Sequence, residues 1–214
     1  MNLKYLLAST CLAISTTSCL DVLDKKDLSA ITEEDVWNDA DYAEAYLNKL
    51  YIDNLPGWDS GIAGNSDEAN GESSIMYGQL TTSSIDNWPY TQIRNINILL
   101  SKIDSGSIDA ATKDMLKAQA LVLRAWRYFT MVRLYGGVPM IMTPQELTDD
   151  LYVSREKTSK SIEMIIKDLD DAYEILPWTW GGDDEGRFTK ATVMALKGRI
   201  LLYYASPQFN PQND

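Results

Sequence analysis

The chain contains no histidine. That removes the commonest general base and the commonest transition-metal ligand. Only two cysteines occur, Cys11 and Cys19, so zinc clusters and Ser–His or Cys–His catalysis are excluded as well. Long apolar runs are absent too. The best is Leu6 to Ile14, broken by Ser9 and Thr10, well short of the roughly 20 residues a membrane-spanning helix needs. Positive charge is scarce: 19 Lys and Arg stand against 31 Asp and Glu, a net charge of −12. Such a balance argues against nucleic acid and against a basic grip on anionic lipid headgroups. The acidic run Asp183-Asp184-Glu185 lacks the alternating ligand spacing of a calcium loop and reads as a solvated turn. Neither a cofactor nor a metal is called for by any motif.

What is present begins at the N-terminus. Lys4 supplies a positive start, the short apolar run follows, and the residues before Cys19 are small, in Ser15-Thr16-Thr17-Ser18-Cys19-Leu20-Asp21. This is the layout of an export signal. Residues 1–18 are predicted to be a lipoprotein signal peptide. Cys19 becomes the first mature residue and carries lipid on its sulfur, and residues 19–31 form a polar tether. The chain is then anchored to a membrane rather than spanning it. The alternative is an ordinary secretory signal with an incidental cysteine. Cys11 leaves with the signal, so Cys19 has no partner for a structural disulfide. Lys4 leaves as well, and the mature chain is more acidic still.

The remainder, residues 32–214, reads as one helical domain. Val36, Ala40, Ala43, Leu47 and Leu50 recur at steps of three and four, predicting a helix from the capping-box-like Thr32-Glu33-Glu34-Asp35 to about Asp53. Residues 54–87 hold Pro56, five glycines and many Ser, Asn and Asp, with no period. A connection so long is uncommon in a compact domain and tends to be functional or disordered. Ile93, Ile96, Leu99, Leu100 and Ile103 give a helix over 89–104. Met115, Ala118, Val122, Ala125, Phe129 and Val132 give a longer one over 109–135, and Leu121 and Tyr128 widen its stripe toward a second neighbour. Gly136-Gly137-Val138-Pro139 ends it. After a second long connection, Thr158 or Ser159 is expected to cap a helix over 158–176, with core face Ile162, Ile165, Ile166, Leu169, Tyr173 and Leu176. Thr189 starts a last helix to about Ala205, whose seam positions Ala191, Ala195, Gly198 and Ala205 are small enough for a partner backbone to come close. With no strand run, the class is all-α. Paired helices resemble degenerate tetratricopeptide repeats with long loop insertions.

Several phrases stand together in a recognisable order. They are Ser18-Cys19-Leu20-Asp21, Trp37, Leu50-Tyr51, Ile93-Arg94-Asn95-Ile96-Asn97 and Leu123-Arg124-Ala125-Trp126-Arg127-Tyr128-Phe129. Then follow Tyr135-Gly136-Gly137-Val138-Pro139, Arg155, Ile166-Lys167-Asp168-Leu169-Asp170-Asp171-Ala172 and Leu176-Pro177. Gly186-Arg187-Phe188-Thr189-Lys190 and Leu202-Tyr203-Tyr204-Ala205-Ser206-Pro207 close the series. The set resembles the SusD/RagB family of outer-membrane glycan-binding lipoproteins. The resemblance implies a non-catalytic protein, lipid-anchored at the outer membrane and facing the cell exterior. It would bind glycans or oligosaccharides and deliver them to a SusC-like TonB-dependent transporter. It also implies that this chain is the N-terminal, tetratricopeptide-like half of a longer protein.

A neutral sugar needs flat apolar faces with hydrogen-bonding groups around them. The first long connection and its exit offer Trp58, Asp67, Glu68, Tyr77, Asn87 and Trp88 as ligand-binding candidates. The competing expectation is that Trp88 packs as the first core residue of its helix and Trp58 pins the loop. Trp178 and Trp180, beside Gly181-Gly182, fall on one side of an extended segment; they could stack on a ligand or staple the loop. Asn97, poor in a helix interior, is expected to bond between helices, and Arg124 and Arg127 to pair with acids. Two other functions stay open. One is an interaction scaffold without its own sugar site. The other is a glycoside hydrolase using two acids about 5–10 Å apart across a cleft, although nothing marks such a pair.

Overall fold

Six helices, joined by connections without a strand among the described residues, make up the computed structural model, which describes residues 31–57, 75 and 77–212. They are α1 (Glu33–Asn38), α2 (Ala40–Asn54), α3 (Tyr90–Lys102), α4 (Ala110–Tyr135), α5 (Thr158–Ile175) and α6 (Lys190–Tyr204). Short 3-10 turns lie at Ile103–Ser105 and Gly182–Asp184. The all-α expectation holds. From Glu34 onward the described helices form one compact unit.

The helix expected over 32–53 is two. Asp39 stands between them in an extended conformation, and its carboxylate accepts from the amides of Asp41 (2.9 Å) and Tyr42 (3.4 Å). A short acid offering the backbone this alternative interrupts the helix that the apolar spacing alone would continue. Helix α5 likewise differs from expectation at its start. Lys157 occupies the cap position, without a side-chain bond, and Thr158 is already helical. Thr189 does cap α6, in a reciprocal arrangement with Thr192.

Helix α4 is the axis of the fold. One of its faces, with Ala118, Val122, Ala125, Phe129 and Val132, packs on Ile162, Ile165, Leu169 and Leu176 of the α5 segment and on Val193 and Ile200 of α6. The opposite face, with Leu116, Ala120 and Leu123, packs on Trp37, Ala43, Leu47, Leu50, Ile96 and Leu99. Asp109 caps its start by accepting from the Thr112 amide at 3.0 Å. Gly136 ends it at φ +70°, a conformation side chains rarely adopt. The next glycine is needed for space. A Cβ on Gly137 would stand 1.9 Å from the Glu156 carbonyl oxygen. The backbone bond from Glu156 N to Val138 O (3.1 Å) draws the two ends of the α4–α5 connection together there.

Between α3, α4 and α5 lies a buried polar network. Arg124 donates to both Asp168 carboxylate oxygens at 2.7 Å, to Asn97 Oδ1 at 2.9 Å and to the Met142 carbonyl at 3.1 Å. Asn97 Nδ2 in turn donates to the Ile141 carbonyl at 2.9 Å. The Tyr128 hydroxyl donates to that same carbonyl (2.7 Å) and accepts from the Ile141 amide (2.8 Å). Asn97 therefore bonds between helices, as its position implies, and Arg124 pairs with an acid. Burial raises the Asp168 pKa, and the Arg124 guanidinium opposes that shift. Arg127 does something different. It donates to Asn54 Oδ1 (2.8 Å) and to the Asp53 carbonyl, closing the C-terminus of α2 with a cation.

The small seam of α6 faces outward. Ala191, Ala195, Gly198 and Ala205 are all exposed, whereas Val193 and Ile200 are buried and Leu196 and Tyr204 pack partly against the core. The helix docks through its larger side chains, which recur at steps of three and four on another face.

Removing one member of the Arg124–Asp168 pair strands the other charge in the interior. Arg124→Ala or Asp168→Asn is expected to cost about 3–5 kcal/mol of stability, read from urea denaturation. Losses under about 1 kcal/mol would mean the pair behaves as a surface pair.

Candidate functional site

The chain leaves the first long connection through Ile85, Asp86, Asn87 and Trp88 before entering α3. Trp88 is 44 % exposed. Its ring lies flat on Tyr135, with centroids 4.1 Å apart and planes 7° from parallel. Tyr90 is also stacked nearly parallel to it, at 6.2 Å and 8°. The expectation that Trp88 packs as a core residue is therefore not met; it forms part of a half-exposed aromatic ladder.

The ladder is held from beneath. Tyr135 is the last residue of α4. Its hydroxyl donates to the Ile85 carbonyl (3.2 Å) and accepts from the Asn87 amide (2.9 Å). The Tyr90 hydroxyl donates to the Pro139 carbonyl at 3.0 Å. Burial pushes the Tyr90 phenol up to about 12, against a smaller opposing pull from Arg155. Arg155 itself donates to the Gly137 carbonyl (2.6 Å) and to the Tyr135 carbonyl, placing a cation at the carbonyl end of α4.

Beside Tyr90 opens a cleft of about 240 Å³, lined by Tyr90, Thr91, Ile93, Arg94, Ile141, Thr143 and Gln145. Its far wall is the segment pinned by Asn97 and Tyr128. Arg94 reaches across and donates to the Gln145 carbonyl. A flat aromatic surface next to hydroxyl, amide and guanidinium groups is suited to a ligand with both apolar faces and hydroxyls.

Of the residues marked in the sequence, Trp88 and Asn87 lie at this ladder, Asn87 through its backbone amide. Tyr77 is exposed. Cys19, Trp58, Asp67 and Glu68 lie outside the described residues. Tyr135, Tyr90 and Arg94 were not marked as ligand-binding; only the position of Tyr135 immediately before the Gly-Gly stop hints at its place.

Elsewhere, the two tryptophans after α5 part company. Trp180 is half-buried and donates from Nε1 to the Phe188 carbonyl at 2.7 Å, a loop staple. Trp178 is 58 % exposed and meets Tyr173 edge-on at 6.3 Å. The acidic turn is ion-paired: Asp184 accepts from Arg187 at 2.5 Å, and Arg187 also pairs with Glu44. A second cavity, of about 290 Å³, is bounded by Leu55, Val122, Trp126, Phe188, Leu196 and Arg199. Its walls are chiefly apolar, offering little to orient a polyhydroxylated ligand. Among the described residues no group of three or more acids, histidines or cysteines could hold a metal ion, and no helix is long and apolar enough to cross a membrane.

Burial raises the pKa of three phenols, Tyr51, Tyr90 and Tyr128. A folded-state pKa above the unfolded value gives stability that is fully present below about pH 10 and lost as pH rises beyond it. The urea midpoint should fall between about pH 9 and pH 11. Phenolate absorbance should show Tyr51, Tyr90 and Tyr128 ionising above the ordinary phenol range. A flat midpoint over that range would contradict the burial.

With this geometry in view, comparisons place the chain. Residues 59–202 match the profile of a SusD-like family described as starch-binding and associating with the outer membrane. A SusD-like protein of Formosa agariphila is 27 % identical over 204 residues, covering 87 % of this chain and 39 % of its own length. The crystal structure of a SusD-like protein from Bacteroides fragilis superposes with a TM-score of 0.71 at 27 % identity, over 84 % of this chain and 38 % of that one. A laminarin-binding SusD-like protein superposes at 0.65, also at 27 % identity, over 80 % and 41 %. The chain thus spans about two fifths of the length of these relatives. It belongs to the SusD-like family.

Proposed function

We propose that this protein is a non-catalytic, glycan-binding lipoprotein of the outer membrane, and that it hands oligosaccharides to a SusC-like TonB-dependent transporter. The observation that carries the binding step is the ladder of Trp88, Tyr135 and Tyr90 beside a cleft walled by Thr91, Arg94, Thr143 and Gln145. A pyranose ring presents one apolar face, which Trp88 can cover. Its equatorial hydroxyls then meet the donors and acceptors of the cleft. Tyr77 and the side chain of Asn87 are proposed as the outer rim, with Trp58, Asp67 and Glu68 contributing from the preceding connection.

The non-catalytic reading is supported by the family description, which names binding rather than catalysis; a hydrolase would need two carboxylates flanking the bond to be broken. Anchorage is supported by the signal-like layout of residues 1–18 directly before Cys19, and the outer-membrane setting by the family description. The scaffold alternative draws on the exposed Met194, Leu201 and Leu202 of α6; it requires no sugar to bind.

Trp88→Ala should weaken oligosaccharide binding about tenfold, as expected for losing one stacked ring, without moving the melting midpoint by more than a few degrees. Titration calorimetry against a panel of gluco- and galacto-oligosaccharides reads this directly. Unchanged affinity would remove the ladder from the site, and no binding of any glycan would favour the scaffold. Cys19→Ser should move the protein from the membrane to the soluble fraction of fractionated cells; an unchanged distribution would overturn the lipid anchor.

A further inference from the structure

We infer that the cleft beside Tyr90 selects an acidic sugar unit, one bearing a carboxylate or a sulfate ester, through the guanidinium of Arg94. The inference rests on the glycan-binding reading of the aromatic ladder and narrows the class of its ligand.

Among the described residues, Arg94 is the only charged residue in the cleft lining. It is exposed, and its recorded bond goes to a neutral acceptor, the Gln145 carbonyl. The chain carries an excess of acids, and other arginines use it: Arg124 is closed by Asp168, and Arg187 by Glu44 and Asp184. Acids are also near Arg94 in sequence terms, because Glu146, Asp149 and Asp150 follow Gln145 directly. Two of these serve the loop itself. Asp149 accepts from the Glu146 amide at 2.8 Å and Asp150 from the Tyr152 amide at 2.9 Å. None of the three lies within ion-pairing distance of Arg94 among the described residues. A second guanidinium, Arg155, acts on Tyr90 from the end of the same connection, though the Tyr135 and Gly137 carbonyls that it binds offset part of its charge.

A neutral sugar and an acidic one would use Trp88, Thr91, Thr143 and Gln145 alike. Arg94 is what distinguishes them. A charge-assisted bond is roughly twice as strong as a neutral one, and the planar fork matches a carboxylate or a sulfate face to face. The net negative charge of the chain opposes anions at long range, but that field is screened beyond about 10 Å, so the short contact decides.

The test uses three matched probes of equal length: a galacturonate oligomer, its methyl ester, and a sulfated galactan oligomer, each titrated calorimetrically. The unmodified protein should bind the free acid about fivefold more tightly than the ester, the scale of one partly exposed charge-assisted contact. Arg94→Gln should erase that ratio, the free acid losing more affinity than the ester, with the melting midpoint unchanged. Arg94→Lys should restore it in part. Trp88→Ala should weaken all probes together. The sulfated oligomer tells which anion is preferred: affinity above the uronate assigns sulfate, and affinity below it assigns carboxylate. Equal binding of acid and ester, or a ratio that survives Arg94→Gln, overturns the selection and leaves the platform standing. Failure of every probe, with the neutral panel also silent, overturns both.

Discussion

The two-pronged bond between Arg124 and Asp168 is the interaction on which the arrangement depends. It joins the two helices that pack most extensively, and it does so where neither charge can return to water. A buried pair is weak evidence of added stability, because desolvation consumes much of the attraction. Its value here is positional. Arg124 has donors left over, and they hold Asn97 on α3 and the Met142 carbonyl. Asn97 then holds Ile141. One cation therefore fixes the crossing of three helices and the path of the second connection, which is the wall of the cleft. Apolar packing alone would tolerate sliding between α4 and α5; a planar fork meeting a carboxylate tolerates little.

Much of this was readable from residue order. The stripe of α4 from Ala118 to Val132 announced the face that meets α5 and α6, and the core face of α5 came out in its expected order; the second packed side is made by Leu116, Ala120 and Leu123, whereas Leu121 and Tyr128 pack with the first. Asn97 was readable because an asparagine inside an apolar helix needs a partner. Asp168 was not: it sits between Lys167 and Leu169 and reads as one more acid of a charged run, although it stands one turn from Ile165 and Ala172 on the buried face. The break at Asp39 escaped because apolar spacing carries no signal for a side chain that competes with the backbone. The outward turn of Ala191, Ala195 and Gly198 escaped for a related reason. Size tells which side of a helix can be approached closely, and the larger Val193 and Ile200 had more to gain from burial.

At the ladder, the sequence displayed the exposed member and hid its support. Trp88 stood out as an aromatic residue at a loop exit. Tyr135 lies 48 positions beyond Asn87, at the end of another helix, and no local pattern links the two. The structure joins them by stacking and by two hydrogen bonds through a single hydroxyl. The site is thus composite: a loop supplies the face that meets solvent, and the longest helix supplies the backing.

The position of Tyr135 at the end of α4 has a consequence for how a ligand would be met. Twenty-six residues of α-helix extend about 39 Å as a stiff rod, gripped along both flanks by the core. A ring mounted on the tip of such a rod cannot swing, and the indole lying against it loses most of its torsional freedom before anything arrives. Capture at this spot would then resemble the seating of an object on a fixed anvil, with little ordering left to be done on contact.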